Sequence, residues 1–140
     1  MYIEWVRSSE PITVMRSIGV RLPIATTSMG RAYLVAASED ERRSVLDQVR
    51  MQDEDEWPSV ERGIEQAKID YQERGFCLSV GDWDRGISSV GVPFTAPDGT
   101  QMAFNCGGPA FILSRDALEH DIGPRLVELA RRISVATGRA

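Results

Sequence analysis

The sequence predicts an α+β domain in which helices flank an antiparallel sheet. Three observations lead there. Segments rich in β-branched and aromatic residues stand on both sides of a central stretch with helical period. Strands and helices come in runs, without the βαβ alternation that a parallel sheet needs. Residues 87–107 read as two strands joined by Pro97-Asp98-Gly99, a turn sequence.

The elements follow in order. Residues 2–8 and 12–18, separated by Ser8-Ser9-Glu10-Pro11, predict a β-hairpin that ends at Gly19. Thr26, Thr27 and Ser28 precede a run of helix formers, which predicts a short helix near 27–36. Ser38 with Glu41 three residues on is a capping-box pattern. It opens a helix near 39–51 with Val45, Leu46 and Val49 on one face. Asp53-Glu54-Asp55-Glu56 reads as a solvated turn, because consecutive carboxylates cannot all face one ion. Pro58-Ser59 starts a helix carrying Val60, Ile64, Ala67 and Tyr71, and Gly75 caps it. Phe76–Val80, 87–95 and 101–107 are the later strands, with a loop from Gly81 to Gly86. Ser114 caps a short helix near 115–121, and Gly123-Pro124 interrupts it. A last helix near 124–137 places Leu126, Leu129, Ile133 and Ala136 on one stripe.

Composition limits the function. The chain has 140 residues, enough for one domain with its own core. Twenty-one acidic residues against 16 basic ones give a net charge of -5, which argues against nucleic-acid binding by charge. Two cysteines make no disulfide framework, and one histidine excludes the usual zinc spacings. Neither a membrane-spanning apolar run nor a signal peptide is visible, so the expected compartment is the cytoplasm.

Chemistry-bearing patterns are few. The predicted hairpin at 87–107 has an apolar face: Val90, Val92, Phe94, Met102, Phe104 and Cys106. Its other face, Ile87, Ser89, Gly91, Gln101, Ala103, Asn105 and Gly107, is small and polar. That face is either open to water or the floor of a small polar pocket. Thr26-Thr27-Ser28 either caps its helix or receives an anion at the helix N-terminus. Cys77 and Cys106 read as small core residues, and His120 stands far from both in sequence. Asp82 and Asp84, flanking Trp83, are turn formers or an acid–base pair.

The stretch Gly19-Val20-Arg21-Leu22-Pro23-Ile24-Ala25-Thr26-Thr27-Ser28-Met29-Gly30-Arg31-Ala32-Tyr33-Leu34-Val35-Ala36 resembles the start of the effector-binding domain of IclR-type transcriptional regulators. The likeness continues through Ser38-Glu39-Asp40-Glu41-Arg42-Arg43, Arg74-Gly75-Phe76, Asp82, Gly86-Ile87 and Pro93. It closes with Gly108-Pro109 and Ile133-Ser134 before Gly138. The resemblance implies a GAF-like fold and a pocket for a small effector, an organic acid. It places that pocket at Leu22, Ser28, Met29, Ser79, Ile87, Ser89, Asn105 and Gly107. It implies no cofactor and no catalytic residue, and a homodimer or tetramer.

The chain departs from the family pattern in having no winged helix-turn-helix ahead of the domain. It is therefore expected to be a fragment that does not itself bind DNA. Asn105 and Gly107 stand where the family often has serine, and the family often has an acidic residue near Ser79, so a different effector is expected. Two other classes remain open at this point. One is a stand-alone GAF-like enzyme using Cys77 or Cys106 as a redox or nucleophilic thiol. The other is an assembly module without a ligand.

Overall fold

The structure is a computed structural model that describes residues 1–4 and 18–138. Helices α1 (Ser28–Ala36), α2 (Glu39–Gln52) and α3 (Trp57–Arg74) come first. Strands β1 (Cys77–Val80), β2 (Ile87–Thr95) and β3 (Gln101–Pro109) follow. Then come α4 (Arg115–Ala117), a π-helical turn (Leu118–Ile122) and α5 (Gly123–Ala136). The α+β class with an antiparallel sheet is as the sequence predicts. The hairpin predicted over 2–8 and 12–18 lies almost wholly outside the described residues. At its base, Tyr2 N–H donates to the Val20 carbonyl at 3.1 Å and Gly19 N–H to that of Tyr2 at 2.8 Å.

The local signals explain the helix ends. Thr27 is the N-cap of α1, its hydroxyl accepting from Gly30 N–H. Ser38 does the same for α2 through Glu41 N–H. Gly75 ends α3 in the left-handed conformation, at φ 81°. The acidic turn is exposed, and Asp53 Oδ1 accepts from Glu56 N–H at 3.1 Å.

β2 is the central strand, pairing antiparallel with β1 and β3. One face of the sheet packs Leu78, Val90 and Val92, with Phe76, against Leu118, Leu126 and Ala130. The other face is covered by α1 and α3, where Cys77 joins Ala32 and Ala67. Beyond it Ala25, Leu34 and Ile64 form a third cluster, against which Val45, Leu46 and Val49 of α2 pack. The sheet thus lies between two helical layers.

Several expectations need correction. Gly123-Pro124 does not interrupt the helix: α4, the π turn and α5 run on continuously. Proline has no N–H to donate and its ring collides with the carbonyl four residues back in an α-helix. The wider turn accommodates it, with Gly123 N–H reaching the Leu118 carbonyl five residues back. The buried face of α5 is Gly123, Leu126 and Ala130, while Leu129 is 45% exposed. At about 100° per residue, Leu129 falls well off the centre of that face. Cys106 is exposed, and Met102 and Phe104 are only half-buried. Among the described residues β3 is an outer strand, so its apolar side chains have strand neighbours on one side only.

A candidate ligand site under the start of helix α1

The start of α1 sits directly on the sheet. Gly91 of β2 makes this possible: a Cβ there would lie 2.3 Å from the Ser28 carbonyl oxygen and 3.0 Å from Met29 N. Gly30 permits an equally close approach on the other side, since its Cβ would lie 2.0 Å from the Ile24 carbonyl oxygen. The helix start is therefore held by backbone contact on two sides. Thr27 adds a hydrogen bond from its hydroxyl to the Pro23 carbonyl at 2.7 Å.

Ser79, Ser89 and Gly107 form one row across the three strands. Ser28, fully buried, donates from Oγ to Ser89 Oγ at 2.7 Å. A hydroxyl pair uses one of its two protons in this way, so one remains for another acceptor. Ser79 Oγ donates to the Thr26 carbonyl at 2.6 Å. The next row holds Cys77, Gly91 and Asn105. Asn105 is half-buried, and its Nδ2 donates to Tyr2 Oη at 3.2 Å. Gly107 is exposed. Met29 takes part through its backbone against Gly91. Leu22 and Ile87 are half-buried and stand outside this hydrogen-bonded group.

The small, polar face is thus not an open one along β2: Ser89 and Gly91 are buried beneath α1. Its accessible end is at Asn105 and Gly107. The first N–H groups of any helix lack intrahelical acceptors. Here the Ser28 carbonyl and Met29 N lie against Gly91, beside the Ser28–Ser89 hydroxyl pair.

Arg31, which is 4% exposed, stands outside the residues expected to carry the site. Its Nε donates to the Ala25 carbonyl at 3.0 Å, and Nη1 to the Leu78 carbonyl at 2.9 Å. Nη1 also meets Asp82 Oδ2 at 2.6 Å. Asp82 is therefore half of an ion pair, and Asp84 accepts from Gly86 N–H as a turn former. A cation three residues into a helix start, ahead of an aspartate at a strand end, was the only available signal. A separate cleft of about 520 Å³ opens beside Arg31 and α3, and none of the eight expected pocket residues lines it.

The thiols do not favour catalysis. Burial pushes the Cys77 thiol up to about 12, the nearby Asp70 adding to the effect and Arg31 opposing it. Its Sγ donates to the Ala67 carbonyl. Desolvation of its sulfur raises the Cys106 thiol as well. His120 is exposed and paired with Asp116. Among the described residues no group of acidic, histidine or cysteine side chains is arranged to hold a metal. No helix among them is long and apolar enough to cross a membrane.

The helix start is thus seated on a small, polar sheet face, with helices behind both faces. Residues 1–135 match the family model for the bacterial transcriptional regulator IclR C-terminal domain, and the chain belongs to that family. A crystal structure of an IclR family transcriptional regulator from Brucella abortus superposes with a TM-score of 0.85 at 39% identity, covering 93% of this chain and 55% of that one. The HTH-type transcriptional regulator TsaQ1/TsaQ2 of Comamonas testosteroni is 28% identical over 117 residues, 82% of this chain and 42% of that protein. The Thermotoga maritima IclR structure, at 22% identity and a TM-score of 0.74 over 95% of this chain and 54% of that one, shares the fold. The chain spans about half the length of these relatives. They are regulators, and nothing in them favours the thiol-enzyme reading.

Proposed function

We propose that the chain is the sensing part of an IclR-type transcriptional regulator and holds a small organic acid between the start of α1 and the β2–β3 face. The observation that carries this reading is the backbone contact of Ser28 on Gly91. It seats the helix start, with Met29 N against Gly91, on the strand that pairs Gly91 with Asn105 and Ser89 with Gly107. A carboxylate there accepts from the Ser28 and Met29 N–H groups, with the helix dipole in its favour. The Asn105 amide and the leftover Ser28–Ser89 hydroxyl proton complete its shell. Leu22, Ser79 and Ile87 border the same region, Ser79 by fixing the Thr26 carbonyl.

In the complete regulator the acid modulates DNA binding by a winged helix-turn-helix outside these 140 residues. The working form is a homodimer or tetramer in the cytoplasm, and this chain alone does not bind an operator. A thermal-shift screen of aliphatic and aromatic carboxylates, each beside its primary amide, tests the site. A ligand at a hundredfold excess over its Kd adds about 2.7 kcal/mol of stability. The acids raise the melting temperature and the amides do not. A screen in which no acid shifts it, or in which the amides match the acids, removes the proposed carboxylate site.

A further inference from the structure

Tyr2 was not among the residues expected at the pocket, yet it joins two parts of the sheet site. Asn105 shares a face of β3 with Ala103, which packs against Ala32 of α1, Ala67 and Cys77. Asn105 Nδ2 donates to Tyr2 Oη at 3.2 Å, across 103 residues of sequence. Among the described residues this is the one hydrogen bond of the Asn105 side chain. Tyr2 is half-buried and is itself held at its backbone. Its N–H donates to the Val20 carbonyl at 3.1 Å, and its carbonyl accepts from Gly19 N–H at 2.8 Å. Gly19 stands at φ 89°, the left-handed region that favours glycine. From Val20 the chain passes through Leu22 and Pro23 to the cap of α1, where the Thr27 hydroxyl donates to the Pro23 carbonyl. Tyr2 therefore ties β3 to the segment that leads into α1, its phenol on one and its backbone on the other.

A half-buried asparagine without a partner samples several rotamers. Asn105 is such a residue by its position, on the strand that is outermost among the described residues. Its amide carries two N–H donors, and one of them is spent on Tyr2 Oη. That bond holds the plane of the amide, so the other N–H has a set direction before any ligand arrives. A side chain that must instead be ordered at the moment of binding lowers affinity by about two- to tenfold.

We propose that Tyr2 is a positioning residue for the sheet site: its phenol oxygen orders the Asn105 amide, whose second N–H then meets the carboxylate of the acid. The inference rests on the sheet-site reading and deepens it. Tyr2 acts through Asn105 and needs no contact with the acid.

The test is a double-mutant cycle of Tyr2→Phe and Asn105→Ala on this chain. Butyrate, valerate, benzoate and phenylacetate are titrated by chemical shift, and the tightest binder is carried through the cycle. Tyr2→Phe keeps the ring and removes only the oxygen. It weakens that acid by about two- to tenfold. In the Asn105→Ala background, already weaker by about ten- to hundredfold, it has no further effect. In the free protein Tyr2→Phe lowers the order parameter of the Asn105 side-chain NH2 group, and the bound acid restores it. This second readout decides the matter even where the double variant binds too weakly to measure. Equal weakening by Tyr2→Phe in both backgrounds makes Tyr2 a packing residue and overturns the proposal. An unchanged Kd in Tyr2→Phe, or an Asn105 NH2 group as ordered there as in the parent, overturns it too. If none of the four acids binds, the sheet-site reading falls and this proposal with it. An acid that is weakened by Asn105→Ala and untouched by Tyr2→Phe removes this proposal alone.

Discussion

Gly91→Ala tests the central contact of the molecule. The new methyl carbon arrives 2.3 Å from the Ser28 carbonyl oxygen and 2.6 Å from its carbon, both backbone atoms that no rotamer change can move. Ordinary carbon–oxygen contact begins at about 3.3 Å, so the start of α1 must retreat by about 1 Å. The Ser28–Ser89 hydroxyl bond, 2.7 Å long, then stretches beyond hydrogen-bonding range. Overpacking costs about 1–3 kcal/mol and the lost bond about 0.5–1.5, together about 2–4 kcal/mol. In urea, with a slope of about 2 kcal/mol per molar, the midpoint falls by about 1–2 M. Acid-induced thermal shifts fall with it, because the helix-start N–H groups leave the sheet. Gly86→Ala is the control: its Cβ meets only the Asp84 carboxylate oxygen at 3.3 Å, and its midpoint stays near that of the parent. Equal midpoints for Gly91→Ala, Gly86→Ala and the parent would refute the contact and the ligand site built on it.

Further outcomes follow from the two faces of the sheet and the two thiols. Asn105→Ala weakens binding of any acid found in the screen by about ten- to hundredfold, read by calorimetry, with little change in the urea midpoint. Phe104→Ala does the reverse. Its ring lies 4.9 Å from that of Phe94, but it is half-buried, so the cost is about 2–3 kcal/mol, below the 3–5 of an enclosed phenylalanine. At pH 8 a thiol reagent modifies exposed Cys106 and spares Cys77 until unfolding; equal rates would contradict the burial of Cys77. Because the folded state raises the Cys77 thiol from 9.0 to about 12, it binds more protons there than the unfolded chain. That contribution to stability is complete below pH 9 and is lost as pH rises toward 12. Cys77→Ala flattens this alkaline slope in urea titrations, and a slope unchanged by the substitution would assign it elsewhere.

What the sequence made legible was local. Ser38 as the cap of α2, Gly75 after Tyr71, and Pro97-Asp98-Gly99 each carry their own hydrogen-bonding instruction and stand where expected, while the Glu41 side chain accepts from Tyr33 Oη and does not close the capping box. Strand alternation likewise put Ser89, Asn105 and Gly107 on one face. What covers that face was not legible from alternation, because the Ser28–Ser89 contact joins residues 61 apart; the family resemblance supplied it. Arg31 escaped for the same reason, since its partners lie 47 and 51 residues away. The exposure of Cys106 goes with β3 being outermost among the described residues, and strand order is not written in a period of two. The π turn at 118–122 defeats the other kind of rule: Gly-Pro signals a break only when the helix has no wider turn to offer.

The pair of glycines that clamp the start of α1 divides the molecule into a fixed part and an adjustable one. Where backbone presses on backbone, at Gly30 against Ile24 and at Gly91 against Ser28, no exchange of side chains can resize the gap. Chemical variety must enter elsewhere, at positions on the strand that is outermost among the described residues. Asn105, half-buried, is such a position, whereas a Cβ at Gly107 would lie 2.9 Å from that of Ser89. A laboratory library aimed at a new small-molecule preference would therefore hold 30, 91 and 107 constant and spend its diversity at 105 and Met29. The scaffold would survive such a search, because the residues being varied are not the ones that set the helix on the sheet.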